Sequence, residues 1–131
     1  MHNAYLIIKS PEAYCDVERY DLFIPITIIG RNKSCHLVIT SPKVSNYHFS
    51  IIKWFDKYIL KDGIPTPATG RPYTKSNKGT IVNNKIVLTN IVLNSGDLIS
   101  LPDGISIQFI IDNTNKESNY LSTLDCDESS E

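Results

Sequence analysis

The sequence predicts an all-β fold, a sandwich of two sheets. Ile, Val and Thr together fill 34 of 131 positions. Side chains branched at Cβ lose rotamer freedom in a helix but fit a pleated surface. Apolar residues come in short runs separated by turn-forming clusters, and no stretch sustains a helical period with caps.

In chain order, runs at 4–8, 22–29, 36–39, 48–54, 58–60, 80–82, 86–88, 98–101 and 105–111 read as strands. Ser10-Pro11, Gly30 and Ser41-Pro42 end the first three. In the fourth, Phe49, Ile51 and Lys53 share one face; in the last, Ile105, Ile107 and Phe109 do so. Such alternation implies one buried and one wet face, as in packed antiparallel sheets. Asp62-Gly63 reads as the turn after 58–60. Paired Asn residues tolerate left-handed backbone, so Val82-Asn83-Asn84-Lys85 reads as a tight hairpin. Ser95-Gly96-Asp97 and Asp103-Gly104 introduce the last two runs.

Residues 1–111 form one sandwich on this reading, long enough to bury a core without staples. Residues 112–131 are an acidic, Ser- and Asn-rich tail or linker, too poor in apolar groups to offset its own ordering entropy. Six acids against Lys116 alone leave that segment at −5, and the body at +4. The body suits an acidic ligand but lacks the dense basic face expected of a duplex-DNA binder. Cys15, Cys35 and Cys126 are widely spaced, and the three His do not join them at metal-ligand spacing. The expectation is free thiols in a reducing compartment, with no metal and no cofactor. Neither a signal peptide nor an apolar run of the ~18 residues a membrane span needs is present. The expected setting is intracellular, nuclear or cytoplasmic.

Polar and cationic residues gather where turns meet strands. Gly30 permits a sharp turn, and Arg31 then offers a planar fork for phosphate or carboxylate oxygens; a surface ion pair would also account for it. Ser45 and Asn46 can both donate to an anion. His48, at the start of an apolar run, reads as a buried hydrogen-bonding strut. A Ser–His nucleophile pair lacks both an orienting acid and a nucleophile elbow. In Ser76-Asn77-Lys78-Gly79-Thr80-Ile81-Val82-Asn83, the polar residues admit plain turn chemistry as well as ligand contact.

Gly30-Arg31, then Ser45-x-x-His48, then Gly79-Thr80-x-x-Asn83, in that order in an all-β chain, resembles the forkhead-associated (FHA) domain. The resemblance runs from about Tyr5 to Ile111 and includes Gly96-Asp97-Leu98-Ile99. The Ser45-Asn46-x-His48 form is most similar to FHA domains of fungal checkpoint-type protein kinases. The resemblance implies a non-enzymatic module that binds phosphothreonine peptides through loops at one end, alone or as the regulatory part of a larger kinase. Arg31 and Ser45 would hold the phosphate, Asn46 the phosphate or peptide, and Asn77 and Lys78 the peptide backbone and threonine-methyl pocket. Gly30, His48, Gly79, Thr80 and Asn83 would support the loops. The expected partner is a threonine-phosphorylated protein, with neither nucleic acid nor membrane involved. The domain would be a monomer, or dimerise only through phosphorylated partners. An FHA-like scaffold indifferent to phosphate is the alternative.

The chain departs from the family pattern at three places. Asn46 stands where many members carry Arg, and Lys78 where most carry Asn. A Pro- and Gly-rich insertion at 63–75 includes Arg71, Lys75 and the dipeptide Thr66-Pro67. Lys78 is expected to favour an acidic residue in the ligand.

Overall fold

The computed structural model of the protein describes residues 3–63, 76 and 79–112. Eleven strands form among them: β1 (Asn3–Lys9), β2 (Arg19–Asp21), β3 (Ile26–Gly30), β4 (Leu37–Val38), β5 (Phe49–Trp54), β6 (Lys57–Asp62), β7 (Ile81–Val82), β8 (Lys85–Ile86), β9 (Asn90–Val92), β10 (Leu98–Ser100) and β11 (Ser106–Asp112). A single turn of 3-10 helix (Pro102–Gly104) joins β10 to β11. One sheet has the order β2-β1-β11-β10-β7-β8 and the other β4-β3-β5-β6-β9. Every pairing is antiparallel except β3 with β4. The all-β sandwich expected from composition is the observed architecture.

The core lies between the sheets, and strand parity decides its membership. Leu6 and Ile8 from β1 and Ile107 and Phe109 from β11 meet Ile29, Phe49, Ile51, Tyr58 and Leu60 from the other layer, all buried. Each fully buried Leu, Ile or Phe contributes about 1.5–3 kcal/mol relative to an exposed one. Lys53 has the parity of Phe49 and Ile51 but is exposed, because β5 outruns the core there.

Two strands were absent from the sequence reading. β2 and β9 have only three residues each, β2 is polar, and both are sheet edges. The run 22–29 is not one strand: Leu22 follows β2, and β3 begins at Ile26. Asp62 is not part of a turn either, but the buried last residue of β6.

Hairpin chemistry matches the turn residues at Asn83 and Asn84, with φ of 50° and 68°. The β5–β6 connection is different: Phe55 takes φ 57°, a region where a bulky side chain is out of place. No helix among the described residues is long and apolar enough to cross a membrane.

The topology sorts the connections into two poles. At one, the end of β3, the start of β5, the end of β6 and the start of β7 converge. At the other lie the β5–β6 and β7–β8 hairpins and the paired ends Asn3 and Asp112.

Candidate functional site

The first pole gathers Gly30, Arg31, Ser45, Asn46, His48, Gly79 and Thr80 of the residues flagged by sequence, and its geometry starts from Gly30. A Cβ at Gly30 would overlap the Asn46 carbonyl oxygen and stand 2.8 Å from its carbon and 2.9 Å from the His48 nitrogen. The missing side chain lets the 44–48 loop lie directly against the end of β3. Three backbone bonds fasten that approach: Arg31 N–H to the Ser45 carbonyl at 3.0 Å, Asn32 N–H to the Asn46 carbonyl at 3.1 Å, and His48 N–H to the Ile29 carbonyl at 2.9 Å.

Arg31 is exposed, yet its stem is fixed. Its Nε donates to the Val44 carbonyl at 3.0 Å, leaving the four N–H donors on the terminal nitrogens for a ligand. Ser45 lies alongside, half-buried, and Asn46 is exposed. A second loop is braced behind them. Asn32 Oδ1 accepts from the Ser34 N–H at 2.8 Å and the Ser34 hydroxyl at 2.7 Å, and that hydroxyl shares a 3.2 Å bond with the Tyr47 hydroxyl.

His48 is fully buried and spans two loops. The Ser45 N–H donates to its Nδ1 at 3.0 Å, and its Nε2 meets the Gly79 carbonyl at 2.8 Å. Since a carbonyl can only accept, Nε2 carries the proton and the ring is neutral. Burial pushes its pKa below the ordinary histidine value, against opposing pulls from the Gly79 carbonyl and Asp62. Both ring nitrogens are committed to backbone, so the imidazole cannot act as a base toward Ser45. That disposes of a Ser–His hydrolytic site on geometric grounds.

Asp62 is the residue that sequence reasoning missed. Its buried carboxylate accepts from the Ser76 hydroxyl and the Thr80 hydroxyl, both at 2.6 Å, and from the Ser76 N–H at 3.2 Å. It therefore pins both flanks of the segment that carries Asn77 and Lys78. Parity held the signal: residues 58, 60 and 62 point the same way, and Tyr58 and Leu60 are core. Gly79, at φ 83°, turns the chain so that its carbonyl reaches His48.

Asn83 sits at the opposite pole from Arg31. It donates to Asp97 and accepts from the Leu98 N–H, both at 2.9 Å, locking the β7–β8 hairpin to the start of β10. It is thus joined to the site through the two arms of the β7–β8 hairpin, β7 leading from Thr80 and Val87 N–H returning to the Thr80 carbonyl. Asn77, Lys78, Arg71, Lys75 and Thr66-Pro67 lie outside the described residues, as does the tail from residue 113 onward.

The FHA domain family model matches residues 27–102. The chain belongs to the FHA family. Among solved structures, the FHA fold of this chain is similar to Mycobacterium tuberculosis EmbR in complex with a low-affinity phosphopeptide, with 25% identity and a TM-score of 0.66 over 82% of this chain and 24% of that one. This chain thus spans about a quarter of the EmbR chain. An FHA domain solved for phosphothreonine-dependent interactions matches at 24% identity and a TM-score of 0.65, over 82% of this chain and 95% of its own. Rad53 1–466 in complex with AMP-PNP shares the fold at 21% identity and a TM-score of 0.66, over 85% of this chain and 30% of that one. No curated protein sequence matches the chain.

Proposed function

We propose that this FHA domain binds threonine-phosphorylated segments of a partner protein and recruits that partner without altering it. One observation carries the reading. Arg31 projects from the pole with its Nε anchored on the Val44 carbonyl, so its fork is presented to ligand at little further entropic cost. A phosphothreonine brings about −1.5 to −2 charge and three strong acceptor oxygens to that fork. Ser45 and Asn46 supply neutral donors beside it, and His48 and Asp62 hold the two loops in register. The solved relatives with a phosphopeptide and with phosphothreonine-dependent interactions support the same ligand class.

Asn77 and Lys78 complete the reading. They would hold the peptide backbone, with Lys78 drawing an acidic ligand residue. A partner in the nucleus or cytoplasm, and a kinase in the same polypeptide, fit this function.

Titration with a phosphothreonine peptide library tests the proposal. Each charge-assisted bond contributes about 1.5–3 kcal/mol, so Arg31→Ala should weaken binding by roughly 10- to 100-fold with an unchanged melting temperature. Equal affinity for phosphorylated and unphosphorylated peptides would instead establish the phosphate-independent scaffold. Loss of acidic preference in Lys78→Ala checks the role of that lysine; an unchanged preference removes it.

A further inference from the structure

A sandwich strand normally turns polar side chains outward, but one outer face here does not. Across the five-stranded sheet, Ile26, Ile52, Ile59 and Val92 are successive cross-strand partners. They share the face opposite the core residues Thr27, Ile51 and Leu60. Ile26 is 41% and Val92 46% exposed. Trp54 extends the row, 59% exposed, edge-on to Phe55 at 5.0 Å. Phe55 is 81% exposed and Phe23, in the neighbouring β2–β3 connection, 84%. The positive φ of Phe55 adds a backbone cost that no internal packing of so exposed a ring offsets. An apolar surface this continuous marks an interaction site.

Charge selects the occupant. The ionisable side chains that β3, β5, β6 and β9 turn to this face are lysines, Lys57 opposite Trp54 and Lys61 four residues further along β6. Lys53, with the opposite parity, lies beyond the core at the end of β5 and lines a cleft of about 430 Å³ with Asn3, Arg19, Asp21 and Phe23. Asp56 at the hairpin tip and Asp21, ion-paired with Arg19 in that cleft, are the acids nearby. A second copy of the domain would oppose lysine to lysine, whereas an acidic segment with apolar residues complements both features. The chain holds one. Residues 113–131 carry five acids against one Lys, together with Tyr120, Leu121 and Leu124.

Where that segment starts makes it the natural occupant. Asp112 is the cross-strand partner of Asn3, which lines the Lys53–Phe23 cleft at the same pole as Trp54. Eight residues lead from Asp112 to Tyr120, an extended reach of about 26–29 Å, against roughly 10 Å between packed sheets. We propose that the outer face of the five-stranded sheet is a docking surface for the chain's own acidic segment, residues 113–131. Tethering supplies an effective concentration on the order of 1 mM, so a segment of only ~0.1 mM intrinsic affinity is ~90% docked.

Trp54 is the single tryptophan of the protein and reports occupancy directly. Acrylamide quenching of its fluorescence is measured in the full chain, in a tail variant (Leu121→Ser, Leu124→Ser, Asp125→Asn, Asp127→Asn, Glu128→Gln), and in Lys57→Glu. Circular dichroism confirms folding of each. The expected result is severalfold weaker quenching in the wild type than in either variant, independent of protein concentration and partly lost at high salt. In the combined variant the two effects should be less than additive. Equal quenching in wild type and tail variant overturns the proposal. Shielding that grows with protein concentration in both would assign the face to a second copy. Shielding that appears only with anionic phospholipid vesicles would assign it to a membrane. Either result also overturns it.

Discussion

Replacing Gly30 by alanine tests the contact on which the site is built. The new methyl would stand 2.8 Å from the Asn46 carbonyl carbon, and reaching ordinary contact at 3.4 Å requires the loop to move by about 0.6 Å. The overlapping carbonyl oxygen demands more. Every atom in the way is backbone, so no rotamer change can relieve it. The same movement stretches the 3.0, 3.1 and 2.9 Å bonds between β3 and the loop beyond useful hydrogen-bonding distance. Overpacking costs about 1–3 kcal/mol, and each weakened backbone bond about 0.5–1.5 kcal/mol. Because these losses share one displacement, they are not additive, and a total of about 3 kcal/mol is expected. Urea denaturation reads it: with a slope of about 1–3 kcal/mol per M for a small domain, the midpoint should fall by roughly 1–3 M. Phosphopeptide affinity should fall as well, since the Arg31 Nε and the Val44 carbonyl that anchors it move apart. An unchanged midpoint would refute the reasoning, showing that the strand end and loop are not in forced contact.

Two further outcomes follow from the buried polar groups. Asp62→Ala removes the acceptor for two hydroxyls and a backbone N–H and should cost about 3 kcal/mol; a melting temperature within a degree of wild type would contradict that role. His48 has a depressed folded pKa, so below its unfolded value of ~6.5 the unfolded chain takes up a proton that the folded chain resists. Its stability contribution is complete above that pH and declines as pH falls toward the lowered folded value. Denaturation midpoints between pH 7 and 5 should show a decline that His48→Gln flattens; parallel curves would argue against it.

Much of the strand plan was legible because β-branched runs and period-two parity are local properties. The Asn83-Asn84 hairpin was legible for the same reason, as left-handed backbone is read from residue type. β2 and β9 were not, because three-residue edge strands exist only through the neighbour they pair with. The loops of the candidate site could be marked by Gly30, Arg31, Ser45 and His48, but not the partners of their side chains. Nothing local in Asp62-Gly63 announces a carboxylate reaching Ser76 and Thr80 across a 12-residue gap in the described chain.

By itself, then, the order of residues determined the all-β class, the hairpin and the identity of the arginine at the strand end. The tertiary structure decided what those residues do to one another. It set Gly30 against the Asn46 carbonyl, placed both nitrogens of His48 on backbone groups of separate loops, and put Asn83 at the far pole. It also aligned four outward apolar side chains from four strands into one row. Such features arise from pairing register and from burial, which depend on residues distant in sequence.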